Sequence, residues 1–405
     1  MPDVRLTHGL TVCLVIVGAV ALLAQTSGPA THSVGAKQII MQGPQRDLPF
    51  SSAVKAGGFI YAAGTISDRG GDIKAQTKWC LEDLERTLKA AGSSLTNTAS
   101  ISVYLRHQSD FAAMNEVYRT FFEKDPPTRT TIVADLVIPA GLVEMSAVSI
   151  PTGGERVVVH PSDWVKSPNP YSYGIKSGDT LFLSGLIARN GKDNSVVEGD
   201  VTRQTTAVMD NAEHILAAAG FTMADVAAAR AFLTDQKFFQ DFNAAYRGRF
   251  PKDPPARATV IAPLTSSQYL VEVTMTAVKG QRHAFTTPAA DGSPGTANPN
   301  LSSAVKVGSR LFVSGMLGNA ADNKADTTAQ TRELLTRVDR TLKVAGYGWE
   351  DVVDGVVYIT ETNNFTAMNA GYRETFKKDF PARATVRTGL VAPDGLVEIM
   401  FTAVR

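Results

Sequence analysis

One stretch occurs three times in this chain and decides how it reads: PTRTTIVADLVIPAGLVEMSAV from Pro127, PARATVIAPLTSSQYLVEVTMTAV from Pro255 and PARATVRTGLVAPDGLVEIMFTAV from Pro381. Each copy opens with an arginine two residues after a proline, at Arg129, Arg257 and Arg383. Each closes on Leu-Val-Glu, at Glu144, Glu272 and Glu398, always 15 residues after its arginine. Loops drift in length and composition. An arginine and a glutamate kept in register across a variable connection are both needed.

Other landmarks keep the same phase. Ser-x-Ala-Val-Lys stands at Ser51–Lys55 and Ser302–Lys306, with the looser Ser172–Lys176 between them. Apolar strands ending in glycine follow, at Gly64, Gly185 and Gly315. Gln-Thr opens a helix at Gln76, Gln204 and Gln330, and Ala-Gly follows it at Gly92, Gly220 and Gly346. A second helix carries Asn-x-x-Tyr at Asn115/Tyr118, Asn243/Tyr246 and Asn369/Tyr372. The arginines lie 128 and 126 residues apart, far beyond the roughly 20–50-residue period of solenoids. The spacing predicts three homologous domains over 36–150, 165–279 and 296–405, each of ordinary domain size. Pro151–Pro168 and Gly280–Pro299, rich in Gly, Pro, Ser and Thr, read as linkers.

The start of the chain differs. Arg5, an apolar run from Leu10 to Ala24 and the small polar QTSGPATHS have the form of a secretory signal peptide over 1–30. The run is short for a spanning helix, which needs roughly 20 apolar residues, although an uncleaved anchor is also compatible with it. Export, to the periplasm or beyond, is the expectation. With a net charge of +1 the remainder has no electrostatic footprint for nucleic acid or for an anionic membrane. Loss of the leader removes Cys13 and leaves Cys80 unpaired, so packed cores alone hold the fold.

One repeat reads strand, strand, helix, strand, helix, strand, strand. Leu81, Leu84 and Leu88 make one face of the first helix; Phe111, Met114, Val117 and Phe121 make one face of the second. In the last strand of repeat 2, Val271, Val273, Met275 and Ala277 alternate with Glu272, Thr274 and Thr276. Strand side chains alternate faces, so the helices cover the apolar set and the glutamate projects from the other face. A sheet with helices on one side must bury that other face too. Three such sheets can close around a common axis.

These residues together resemble the RidA/YjgF-type (L-PSP) reactive-intermediate deaminase family. The matching elements are a Pro-Tyr-Ser-like start, the Val-Ser-Gly strand, the Gln-Thr helix, F-x-x-M-N-x-x-Y, Pro-Ala-Arg and Val-Glu-Ile with its 15-residue offset. The resemblance implies an α+β, chorismate-mutase-like fold in each repeat. It also implies clefts between subunits of a trimer, here an intramolecular pseudo-trimer expected to be monomeric. It further implies hydrolysis of small 2-imino or enamine acids of the 2-aminoacrylate/2-iminopropanoate type, with neither metal nor organic cofactor.

The residue chemistry fits that role. A guanidinium pairs bidentately with a carboxylate, so Arg129, Arg257 and Arg383 are candidate anchors for a small organic acid. Glu144, Glu272 and Glu398 are candidates to direct water and move protons. A close arginine lowers a glutamate's pKa and burial raises it; the sequence does not rank the two. Tyr171, Ser184, Ser314, Asn115, Asn243 and Asn369 complete the candidate substrate-binding set. The family tyrosine is replaced by Phe50 and Leu301 in repeats 1 and 3, and the strand serine by Ala63 in repeat 1. Repeat 2 holds the fullest set, divided between two clefts if the sites lie at seams; Arg257 is expected to be the principal contributor, and Arg129 to matter least if repeat 1 is mainly structural.

Two alternatives stay open. The repeated Arg and Glu could be structural ion pairs at the seams, or the clefts could belong to a non-catalytic exported carboxylate-binding protein. Geometry also limits the pairing. If Pro393-Asp394-Gly395 turns a hairpin, Arg383 lies on the order of 20 Å from the strand position facing Glu398. Then either the arginine segment bends back, or the Arg and Glu of one site come from different repeats. The six histidines share no repeat position and read as surface residues; Cys80 reads as core.

Overall fold

The computed structural model describes residues 29–43 and 47–405. Residues 1–28, with the apolar run of the expected leader, lie outside them. Among the described residues no helix is long and apolar enough to cross a membrane.

Repeat 1 contains β1 (Ala30–Val34), β2 (Lys37–Met41), β3 (Ala53–Ala56), β4 (Phe59–Ile66), α1 (Ile73–Ala90), β5 (Thr98–Leu105), α2 (Phe111–Phe121), β6 (Thr128–Val133), β7 (Asp135–Leu136) and β8 (Val143–Ser149). Repeat 2 contains β9 (Val157–Val159), β10 (Gly174–Ser177), β11 (Thr180–Leu183), α3 (Val201–Ala218), β12 (Val226–Leu233), α4 (Phe239–Arg247), β13 (Ala256–Ile261) and β14 (Val271–Val278). Repeat 3 contains β15 (Arg282–Phe285), β16 (Ala304–Val307), β17 (Arg310–Leu317), α5 (Thr327–Val344), β18 (Val352–Ile359), α6 (Asn364–Thr375), β19 (Ala382–Arg387), β20 (Gly389–Leu390) and β21 (Val397–Val404). The α+β reading and its threefold repetition hold.

Local chemistry explains where the long helices start. Asp72, Asp200 and Asp326 precede them in extended conformation, and each carboxylate accepts the N–H three residues on. The buried face of α1 includes Leu81, Leu84 and Leu88, together with Cys80. On α2 the buried residues are Met114, Asn115 and Tyr118. The face is thus rotated from the Phe111-Met114-Val117-Phe121 stripe, because Asn115 and Tyr118 have partners inside.

The supposed linkers are partly sheet. Val157–Val159 pairs with β10 and Arg282–Phe285 with β16, extending the sheets of repeats 2 and 3. A run of three valines favours a strand. The hairpin premise also fails. The glutamate strand β21 pairs with β17 and β18, while the arginine strand β19 lies beyond β18, parallel to it. An arginine and a glutamate of one repeat are therefore separated by a whole strand.

Each repeat makes one seven-stranded sheet with an edge strand or bridge from a neighbour. Leu136 and Asp135 of repeat 1 pair with Val386 and Arg387 of repeat 3. Leu390 and Gly389 of repeat 3 pair with Val260 and Ile261 of repeat 2, and Leu264 of repeat 2 bridges Ile132 of repeat 1. The exchange is cyclic and closes the ring, covering sheet edges that would otherwise be exposed. Buried apolar clusters cross the seams, and one of them joins Phe59, Phe182 and Val353 of the three repeats. The described histidines are all exposed.

Candidate functional site: three clefts on the seams

The glutamate that meets each arginine strand comes from the next repeat in the ring. Glu272 Oε1 accepts the N–H of Thr131 at 3.3 Å, two residues along β6 from Arg129. Glu144 Oε1 accepts the N–H of Thr385 at 3.3 Å, beside Arg383. Glu398 takes the N–H of Thr259, beside Arg257. The clefts are therefore Arg129/Glu272, Arg257/Glu398 and Arg383/Glu144. A site shared between repeats is the arrangement present.

Each guanidinium is held by a neutral side-chain acceptor. Asn115 Oδ1 accepts from Arg129 Nη1 at 2.7 Å, Asn243 from Arg257 Nη2 at 2.6 Å and Asn369 from Arg383 Nη2 at 2.8 Å. Three residues along the same helices, Tyr118, Tyr246 and Tyr372 place their rings 4.8, 4.6 and 4.9 Å from the guanidinium carbon. One helical face thus supplies an acceptor and a cation–π platform. The repeated Asn-x-x-Tyr is the visible signal for this platform.

The strand serines serve the seam. Ser184 Oγ accepts the Arg129 N–H at 2.9 Å and donates to the Ser172 carbonyl at 2.7 Å. Ser314 does the same between the Arg257 N–H and the Ser302 carbonyl, at 2.8 and 2.6 Å. Both hydroxyls are fully buried and committed to backbone, so they position the arginine strand rather than offering a free group to a ligand. The residues Ser51, Ser172 and Ser302 add a second clamp, through N–H groups donating to Pro381, Pro127 and Pro255.

Sequence reasoning missed two supports for the glutamates. Gln76, Gln204 and Gln330 accept the N–H of Leu142, Leu270 and Leu396, two residues before each glutamate. Each also donates back to a carbonyl of the same loop. Their fixed position at the helix start was the available signal. Each carboxylate also packs onto the glycine that ends its own repeat's strand. A Cβ at Gly64, Gly185 or Gly315 would lie 1.9 Å from Oε1 of Glu144, Glu272 or Glu398, so only glycine allows this approach.

The clefts differ at one wall. Tyr171 stands 6.0 Å from the Arg129 guanidinium and Phe50 5.3 Å from that of Arg383; Leu301 takes the equivalent place beside Ser302. A small cavity of about 20 Å³ adjoins the Arg129 cleft, bounded by Tyr171, Gly185 and Arg189. The family-type tyrosine, serine and glutamate of repeat 2 therefore complete the cleft whose arginine is Arg129, while Asn243 and Arg257 of the same repeat belong to the cleft of Glu398.

Burial dominates the electrostatics. It pushes Glu144, Glu272 and Glu398 up to about 8, against the opposing pull of a backbone N–H and the facing arginine. It also lowers the pKa of all three arginines, Arg383 to about 10. Among the described residues none of these arginines makes an ion pair within 4.0 Å. Arg257 Nε and Nη1, Arg383 Nε, Glu144 Oε2 and Glu398 Oε2 are buried without a hydrogen-bond partner. Such atoms are costly unless something binds them, which argues against purely structural ion pairs. No cluster of three or more His, Cys, Asp or Glu suited to a metal occurs among the described residues.

Comparison with known proteins agrees with this architecture. A RutC family protein of Sulfurisphaera tokodaii is 43% identical over 115 residues, 28% of this chain and 92% of the relative. The mitochondrial protein mmf2 of Schizosaccharomyces pombe is 38% identical over 91 residues, 21% of this chain and 72% of the relative. The crystal structure of RidA from an Antarctic Psychrobacter aligns over 31% of this chain and all of its own, at 25% identity and a TM-score of 0.29. A chorismatase crystal structure covers 76% of this chain and 93% of its own at 15% identity and a TM-score of 0.51, a likeness of fold alone. The profile of the Endoribonuclease L-PSP family matches residues 41–150, 163–279 and 293–405, and the chain belongs to that family, carrying three copies of its domain in tandem.

Proposed function

We propose that the seam clefts hydrolyse small 2-imino or enamine acids to keto acid and ammonia. The observation that carries this reading is the facing arrangement of a buried guanidinium with no anionic partner and a buried carboxyl held in its acid form. The guanidinium takes the substrate carboxylate as a fork. The neutral glutamate donates its proton to the imine nitrogen, which makes C2 electrophilic. Water adds to C2, and the glutamate, now a carboxylate, accepts a proton from it. The carbinolamine then collapses, C2–N breaks, and nitrogen leaves as ammonia. Imine plus water balances keto acid plus ammonia, with no redox change. Cleavage of RNA by these groups is disfavoured by their burial, since Arg129, Arg257 and Arg383 are only 1–4% exposed and a polynucleotide requires an exposed basic track.

The test is keto-acid release from enzymatically generated imino acids, measured for the wild-type chain and for the triple Arg→Ala variant. Acceleration that the triple variant loses is expected. A wild-type chain that binds pyruvate but does not accelerate hydrolysis would favour a binding protein instead.

Gly185→Ala gives a sharper probe. The added methyl meets the mobile end of Glu272, so the fold is expected to survive while the carboxyl is displaced. Turnover in that cleft should fall roughly a hundredfold, the lower range for losing a positioned acid–base group. Unchanged turnover, with an unchanged melting temperature, would remove Glu272 from the reaction.

A further inference from the structure

Inside the ring of sheets lies a cavity of about 120 Å³ that none of the cleft arginines or glutamates lines. By the same measure a water occupies about 10–15 Å³, so the space is that of roughly eight to twelve waters and accommodates a small organic molecule. Its walls come from the polar faces of all three sheets. Register identifies the equivalent positions: Ser100, Ala228 and Asp354 pair with Val148, Thr276 and Thr402. One layer along, Ser102, Arg230 and Val356 pair with Ser146, Thr274 and Met400.

The threefold repetition is broken in these two layers: Arg230 stands where the other repeats carry Ser102 and Val356, and Asp354 where they carry Ser100 and Ala228. In a trimer of identical chains either residue would appear three times around the axis, with strong mutual repulsion. A covalent tandem escapes that constraint. Arg230 is braced by repeat 1, its Nη2 donating to Ser102 Oγ at 2.9 Å and its Nη1 to Tyr104 Oη at 3.3 Å. Asp354 has no ion-pair partner within 4.0 Å among the described residues, although it senses the charge of Arg230. The other arginine of the chamber, Arg310, is already bound bidentately by Asp179 at 2.6 Å. That pair sits at the solvent side, since Asp179 is half exposed.

Arg230 and Asp354 lie on layers two residues apart, an offset of roughly 7 Å along the strands. A carboxylate and an ammonium separated by two bonds span that distance with one hydrogen bond at each end. We propose that the axial chamber is a binding site for one short-chain α-amino acid per chain, its carboxylate on Arg230 and its ammonium on Asp354. This site is independent of the seam clefts and of their chemistry.

The experiment is calorimetric titration of the full chain with L-alanine and L-serine. One equivalent is expected to bind. Arg230→Ser and Asp354→Ser copy the residues that repeat 1 carries at the same positions, Ser102 and Ser100. Each should weaken binding roughly ten- to a hundredfold, the loss of one charge-assisted contact, while Lys78→Gln, at an exposed surface position, leaves it unchanged. Absence of binding at millimolar amino acid, a stoichiometry of three, or retention of affinity in both serine variants would overturn the assignment. Should a serine variant not fold, the wild-type chain decides the matter: propionate and ethylamine must each bind at least tenfold more weakly than alanine, and equal affinity rejects the site.

Discussion

Arg129→Ala is expected to be the most damaging of the three arginine-to-alanine changes, with a ten- to a hundredfold loss of affinity for a small carboxylate in its cleft. The magnitude is that of a charge-assisted hydrogen-bonded pair, roughly 1.5–3 kcal/mol. The ranking follows from what each arginine faces. Arg129 meets Tyr171, Glu272 and a strand clamped by Ser184. Arg257 meets Glu398 and a Ser314 clamp, and repeat 3 carries Leu301 at the sequence position of Tyr171. Arg383 meets Glu144 and Phe50, and its clamp position is Ala63, which has no hydroxyl. Ligand affinity and keto-acid release, measured for the three single variants, check the order. Arg129→Lys separates charge from geometry, because an ammonium keeps the charge but loses the planar fork. A silent Arg129→Ala beside a damaging Arg257→Ala would transfer the principal role to the second cleft.

The glutamates carry the second large effect. Their folded-state pKa values of about 8 exceed the ordinary value of 4.5. Above pH 4.5 the unfolded chain releases these protons while the folded chain keeps them. Their contribution to stability is therefore complete below about pH 4.5 and lost as pH rises through 8. At pH 8 the loss is of the order of 4 kcal/mol per carboxyl. Denaturant unfolding of the wild-type chain should show stability falling between pH 5 and pH 8. Glu144→Gln, Glu272→Gln and Glu398→Gln should each flatten that slope and stabilise the chain at pH 8. The same change removes the proton donor, so Glu272→Gln is expected to lower turnover by roughly a hundredfold or more. Wild-type turnover should decline above about pH 8, where the acid form disappears. Identical slopes for wild type and the glutamine variants would mean that the carboxyls are already ionised in the folded protein.

The site is expensive for the fold, and its construction shows where the compensation lies. A buried guanidinium and a buried carboxyl that do not touch are each desolvated. They are held by groups committed elsewhere: amides on α2, α4 and α6, backbone N–H groups on β6, β13 and β19, and serine clamps across the seam. Rigid support of this kind keeps charged groups aimed at a ligand rather than collapsing onto one another.

Much of this was legible without coordinates. Spacing alone identified three domains, because a covalent repeat preserves phase. Period-two alternation around Glu272 and Glu398 placed the glutamates on the face away from the helices, because strand side chains alternate. The inventory of the cleft was legible too, since Asn, Tyr, Arg and Glu recur in fixed order. Which arginine belongs with which glutamate was not. That depends on β18 lying between β19 and β21, and on the cyclic exchange of edge residues such as Leu136 and Leu390. Strand order and neighbour choice are long-range properties, and no spacing along the chain encodes them. The state of the glutamates was likewise decided only by tertiary structure. An arginine nearby and burial pull in opposite directions, and closure of three sheets around one axis removes enough water for burial to prevail.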